Sequence, residues 1–169
     1  LMHSCGIVAR PLFDPSAPYR VSEFNPIAMF ELHGHLMAVN NVSPIKNIKE
    51  LVDYAKKNPG AISSGGSGIG GVNYLALELL KLNTQMTDKI IQWVPYGGDV
   101  EPLVALIGNH IQVSVTTSPP CKTYVSSKQI RPLAVLATKR DPLFPDVPTA
   151  IEQGFPDVEA DCYNALLAP

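Results

Sequence analysis

The residues best suited to chemistry lie between Ser63 and Gly71. There the run Ser63-Ser64-Gly65-Gly66-Ser67-Gly68-Ile69-Gly70-Gly71 leads straight into the amphipathic pattern Tyr74-Leu75-Ala76-Leu77-Glu78-Leu79-Leu80. Glycines let a backbone turn tightly and approach a ligand. The open N–H groups of a helix's first turn, at the positive end of its dipole, favour an anion. No Lys or Arg lies in the run, so amides and the Ser67 hydroxyl would have to do the holding.

The same residues fit other fingerprints less well. Gly66, Gly68 and Gly71 have the G-x-G-x-x-G spacing of dinucleotide sites, with Asp88 about 20 residues on. In that fold the acid ends the second strand, whereas Asp88 precedes the apolar run Ile90-Ile91-Gln92-Trp93-Val94. A P-loop would close with Gly-Lys-Ser/Thr, and a nucleophile elbow needs glycine two residues after its serine, where this chain has Ile69. A glycine-rich connector with no ligand remains the plain alternative.

A chain of 169 residues is the size of one domain with a sizeable core, and a net charge of −2 offers no basic field for nucleic acid. No apolar run reaches membrane-spanning length, and no signal-peptide pattern opens the sequence. The abrupt ends at Leu1 and Pro169 suggest a domain taken from a longer chain. Cys5, Cys121 and Cys162 show no C-x-x-C spacing and read as plain core or surface thiols, compatible with either redox compartment.

Residues 1–25, with Pro11, Pro15 and Pro18, read as a connecting segment, and residues 26–169 as one α/β domain. Strands are expected at Pro26–Phe30 and Leu36–Val39, flanking a turn at Gly34. A helix opened by Asn47 and Glu50 should end at Asn58-Pro59-Gly60. Strands then alternate with helices: Ala61–Ser64, a helix to about Leu82, Ile90–Val94, Val100–Ile107, Ile111–Val115, a short helix after Pro120, and Pro132–Ala137. A capping box at Thr149 to Glu152 should open a further helix, before a last strand from Val158 to about Tyr163. This alternation gives a mostly parallel sheet flanked by helices.

Ligands of such sheets bind beyond the carboxyl ends of the strands. Three loops leave in that direction: the glycine loop, Pro95-Tyr96-Gly97-Gly98-Asp99, and Thr116-Thr117-Ser118. The candidate ligand-binding residues are therefore Ser67, Gly68, Gly70, Gly71, Tyr96, Gly98, Asp99, Thr116 and Thr117. Asp99 conflicts with an anion pocket and is expected to cap its own helix. Facing the ligand instead, it would favour an amino acid or another zwitterion. His33 and His35, two apart, could share one strand face, but no third metal ligand lies nearby and they read as flanking a turn.

The motifs Leu51-Val52, Tyr54-Ala55-Lys56, Asn58-Pro59-Gly60, Ser67-Gly68-Ile69-Gly70, Val94-Pro95-Tyr96 with Gly98, and Arg131-Pro132-Leu133-Ala134-Val135 carry a family likeness. So do Lys139-Arg140, Pro145-Asp146-Val147-Pro148-Thr149, Gly154-Phe155-Pro156 and Leu166-Leu167-Ala168-Pro169. Together they resemble the substrate-binding receptors of tripartite tricarboxylate transporters, the Bug-type extracytoplasmic solute receptors. The resemblance runs over nearly the whole chain in order.

It implies a periplasmic-binding-protein-like lobe, the second of two that close on a small carboxylate-bearing solute (an amino-acid solute if Asp99 faces it), with 1–25 as hinge segment. It further implies a periplasmic or extracytoplasmic protein working with membrane transporter subunits, with no catalytic residue, metal or cofactor. The chain departs from the family at Gly70, Gly71, Tyr74, Gly97, Gln112 and Thr116-Thr117. A small-molecule or nucleotide-using α/β enzyme is the alternative.

Overall fold

The computed structural model describes residues 2–4 and 6–168. Its elements run β1 (Met2–Ser4), α1 (Gly6–Phe13), a 3-10 turn (Val21–Glu23), β2 (Asn25–Asn40), α2 (Ile48–Lys57), β3 (Ile62–Ser67) and α3 (Val72–Thr84). After them come β4 (Ile91–Tyr96), α4 (Glu101–Ile107), β5 (Val113–Thr117), α5 (Ser118–Ser126), β6 (Ile130–Leu136), a 3-10 turn (Ile151–Gln153) and β7 (Asp161–Ala168).

Five strands form the main sheet in the order β6-β2-β5-β3-β4. The β3 strand is parallel to β4 and β5, while β2 runs antiparallel to β5 and β6, so four strands share one direction and β2 opposes them. Alternation along each strand splits the core between the two faces. Met37 and Val39 of β2 pack with Ile48, Leu51, Val52 and Ala55 of α2 and with Leu77 and Leu80 of α3. Leu36 and Ala38 face the other way, against Leu103 and Leu106 of α4 and Cys121 of α5. The spacing 48, 51, 52, 55 is one stripe of an α-helix. Its start is fixed as the sequence suggests, with the Asn47 side chain accepting from the Glu50 amide at 2.8 Å.

The turn expected at Gly34 does not form. Strand β2 runs straight through it, because Gly34 is where the strand changes partners. Asn25 to Gly34 pair with β7, and His35 onwards pair with β5 and β6. A Cβ on Gly34 would sit 3.0 Å from both Ala137 Cβ and Val135 Cγ1, so this glycine serves close packing against β6 and its exit.

Residues 1–25 hold more structure than a connector would, since β1 pairs with β7 and α1 follows it. The Thr149 capping box is present, with the Glu152 amide donating to Thr149 Oγ1 at 3.0 Å and the Thr149 amide donating to Glu152 at 2.7 Å. It opens only a 3-10 turn, which ends at Gly154 in the left-handed region. The last strand lies later than the sequence suggests, at Asp161–Ala168, because it pairs with the first half of β2, which includes the strand expected at Pro26–Phe30 but extends to Gly34. That half presents exposed Ile27, Met29, Phe30 and Leu32.

Candidate functional site

The β3 strand extends to Ser67, so only Gly68 to Gly71 form the loop before α3. Gly68 and Gly70 adopt φ of 45° and 84°, the left-handed region that glycine tolerates. The Gly68 amide donates to the Tyr96 carbonyl at 3.1 Å, tying the loop to the end of β4. Ser67 Oγ accepts from the side chain of Asn73 at 2.9 Å, and Asn73 itself is buried in the first turn of α3.

Three strand exits meet at a cavity of about 420 Å³, to which they contribute Ser67, Asp99 and Thr117. Its opposite wall comes from the paired strands β2 and β7 and carries Glu31, His33 and Asn164. Thr117 Oγ1 donates to Asp99 Oδ2 at 2.6 Å. The Asn164 amide donates to Glu31, and His33 Nδ1 lies 3.4 Å from Glu31 Oε1. A larger cavity of about 460 Å³ adjoins this one, sharing Glu31, His33 and Pro119.

Asp99 is not the cap of α4. The residue at the cap position is Val100, with no side-chain bond, and it is Glu101 that accepts from the Gly97 amide, at 2.9 Å. Thr116 is fully buried, its hydroxyl 3.2 Å from the Cys121 sulfur, so its side chain packs below the site. The Tyr96 ring lies over Gly65, where a Cβ would come within 2.7 Å of it, and packs into the core beneath α4 and α5. Gly98 faces open space, and Gly68, Gly70 and Gly71 form the loop beside the cavity without lining it. Glu31 and Asn164 had no local signal in the sequence, since they meet through register between strands some 130 residues apart.

His35 is buried, with Nδ1 2.8 Å from the Ala160 carbonyl oxygen, so it does not join His33 as a ligand pair. Among the described residues no group of three or more His, Cys, Asp or Glu could hold a metal ion. Asp88 binds Lys81 Nζ at 2.6 Å, at the end of α3 remote from the glycine loop, which removes the acid that a dinucleotide reading requires.

The cysteines are not all plain thiols. Cys162 is disulfide-bonded, while Cys121 is free and buried. Burial pushes the Cys121 thiol up to about 11, where it is not a nucleophile at neutral pH. Iodoacetamide at pH 8 should leave Cys121 unmodified in the native protein. In the unfolded, unreduced protein, peptide mass spectrometry should find Cys121 labelled and Cys162 protected; rapid labelling of native Cys121 would contradict its burial.

An α/β lobe with a polar cavity at the carboxyl edge of its sheet is the architecture of periplasmic solute-binding proteins, and the solved structures agree. Periplasmic binding protein BugD superposes with a TM-score of 0.88 at 26% identity, over 100% of this chain and 56% of its own. R. palustris Rpa4515, solved with adipate, gives 0.88 at 28% identity, over 99% and 56%. Among curated relatives, protein BugT of Bordetella pertussis is 29% identical over 92% of this chain and 47% of its own length. A UPF0065 protein from the gbd 5′ region of Cupriavidus necator is 32% identical over 88% and 44%.

The model of the tripartite tricarboxylate transporter family receptor matches residues 1–169, and the chain belongs to that family. It spans about half the length of the curated relatives it matches.

Proposed function

We propose that this chain is the solute-gripping lobe, with hinge strands, of an extracytoplasmic receptor that delivers a small carboxylate-bearing solute to membrane transporter subunits. One observation carries the reading: the cavity into which Ser67, Asp99 and Thr117 converge from three strand exits, walled on the far side by Glu31 and His33 of β2. A solute carboxylate would be held at the Ser67 hydroxyl, which lines the cavity next to the glycine loop and the positive end of α3.

The adipate complex of Rpa4515 supports a carboxylate ligand. The disulfide at Cys162 suits an oxidising compartment outside the cytoplasm. In this reading residues 1–25 are the hinge segment and 26–169 the lobe. A second lobe would cover Ile27, Met29, Phe30 and Leu32, which are more than half exposed here. In this reading the protein binds and releases its solute without turnover.

Thermal unfolding with a panel of mono- and dicarboxylates, amino acids and nucleotides tests this. Stabilisation by a carboxylate or amino acid, larger in a two-lobed full-length protein than in the 169-residue chain, is the expected result. Stabilisation by nucleotides alone would overturn it in favour of an α/β enzyme.

A further inference from the structure

Asp99 lies half-buried in the cavity wall, and the loop that carries it does not use it for capping. Thr117 occupies its Oδ2, and among the described residues no Lys, Arg or His forms an ion pair with it. Among the described residues the cavity lining contains no Lys or Arg, and the other ionisable side chains on it are Glu31 and His33. Lys139 and Arg140 line only the adjoining cavity, together with Asp141 and Asp161. Arg140 is already committed to Glu152, with Nε 3.0 Å from both of its carboxylate oxygens.

A half-desolvated carboxylate without a countercharge, beside a second carboxylate, repels a solute that brings only negative groups. It attracts one that brings a cation, and it does so more strongly once closure removes water. We infer that Asp99 is the specificity-determining residue of this cleft and that the solute is zwitterionic, an amino acid or amino dicarboxylate whose ammonium group is received by Asp99. The inference rests on the reading of the cleft as a carboxylate receptor. In this arrangement Ser67, at the edge of the glycine loop, takes the carboxylate end and Asp99 the ammonium end, so a solute lacking the amine leaves Asp99 facing its negative charge. Like-charge juxtaposition of this kind is how a site rejects a near-isostere.

The test is calorimetric binding to the full-length protein of matched pairs: L-aspartate against succinate, L-glutamate against glutarate, and L-2-aminoadipate against adipate. The aminated member of at least one pair should bind about tenfold or more tightly, the size of one charge-assisted hydrogen bond. Asp99→Asn keeps an oxygen to accept from Thr117 and should bring the members of that pair to within about threefold, chiefly by strengthening binding of the deaminated acid. Thr117→Val, which removes the hydroxyl and keeps the charge, should retain the preference; this separates the role of charge from that of loop structure. Equal or better binding of the deaminated acids by the unaltered protein, or a preference that survives Asp99→Asn, overturns the zwitterion inference and leaves the receptor reading standing. If no member of any pair binds, both fall.

Discussion

Replacing Gly66 by alanine should destabilise the protein by about 3 kcal/mol, the upper range for forcing atoms into a packed core. For a domain of this size that corresponds to a fall of roughly 10 °C in the unfolding midpoint. A Cβ at this position would lie 2.5 Å from the Val115 carbonyl oxygen, 2.6 Å from Trp93 Cη2 and 2.7 Å from Asn73 Nδ2. The carbonyl belongs to β5, next to β3 in the sheet, so it cannot retreat without disturbing the sheet. Trp93 is held in turn by an edge-to-face contact with Tyr74, ring centroids 5.5 Å apart, and Asn73 by its bond to Ser67. Three neighbours on three elements therefore oppose one methyl group.

Two other glycines of the same loops provide the contrast. Gly98→Ala meets nothing within 4 Å and has no left-handed backbone, so it should change stability by less than about 0.5 kcal/mol. Gly68→Ala also meets nothing, but its φ of 45° should cost about 1 kcal/mol. Chemical denaturation of the three variants checks the order. A Gly66→Ala protein as stable as Gly98→Ala would mean that β3 and β5 do not approach as closely as described.

This ranking shows where the sequence misleads. The run from Gly65 to Gly71 reads as one ligand loop, yet Gly65 and Gly66 are strand residues that exist for packing, and the loop begins only at Gly68. Composition cannot separate the two uses of glycine, because both need the missing Cβ. Helix α2 was legible because its signals are local: the stripe Ile48, Leu51, Val52, Ala55, the Asn47 cap, and the stop at Asn58-Pro59-Gly60 all lie within 14 residues.

The two ends of β2 were legible as strands but their continuity was not, because Gly34 punctuates the strand like a turn and its two halves answer to different partners. The site divides in the same way. Ser67, Asp99 and Thr117 line the cavity at the strand exits, where the rule for parallel sheets directs attention. Glu31 and Asn164 face them only because β2 and β7 pair in one particular register, a fact stored in no local pattern. Asp99 is the instructive case: local rules favoured a helix cap, and the hydroxyl of Thr117 on a different strand exit won it instead.

Stability should also fall with acid in a way that one residue controls. His35 is buried where β2 passes from β7 to its partners in the main sheet, and burial holds its imidazole below the ordinary value of 6.5, outweighing the raising effects of the Ala160 hydrogen bond and the nearby Asp99 charge. A carbonyl oxygen only accepts, so the ring donates from Nδ1 to Ala160 as the neutral form. In the unfolded chain the same ring takes its proton near pH 6.5. A base whose folded value is depressed contributes stability that is full above the unfolded value. It is lost as pH falls from about 6.5 through the folded value, at up to about 1.4 kcal/mol per pH unit.

His35→Gln places a side-chain amide where the ring N–H was, giving Ala160 a donor that does not titrate. Urea unfolding of both proteins between pH 7.5 and 5.5 should give a steeper decline for the unaltered protein, with a smaller slope in the variant even if its stability at pH 7.5 is lower. Parallel slopes would mean that His35 takes up its proton equally in both states and that its burial carries no electrostatic cost. Because His35 lies where β2 passes from β7 to β5 and β6, openings that expose its ring to protons are favoured as pH falls below 6.5, and they should first loosen the register that sets Glu31 and His33 opposite Asp99. The acid transition would then remove the far wall of the cleft before the rest of the lobe unfolds. Hydrogen exchange at pH 5.5 should accordingly show amides of residues 31–36 losing protection ahead of those of β3 and β4, and simultaneous loss across all three strands would contradict that order.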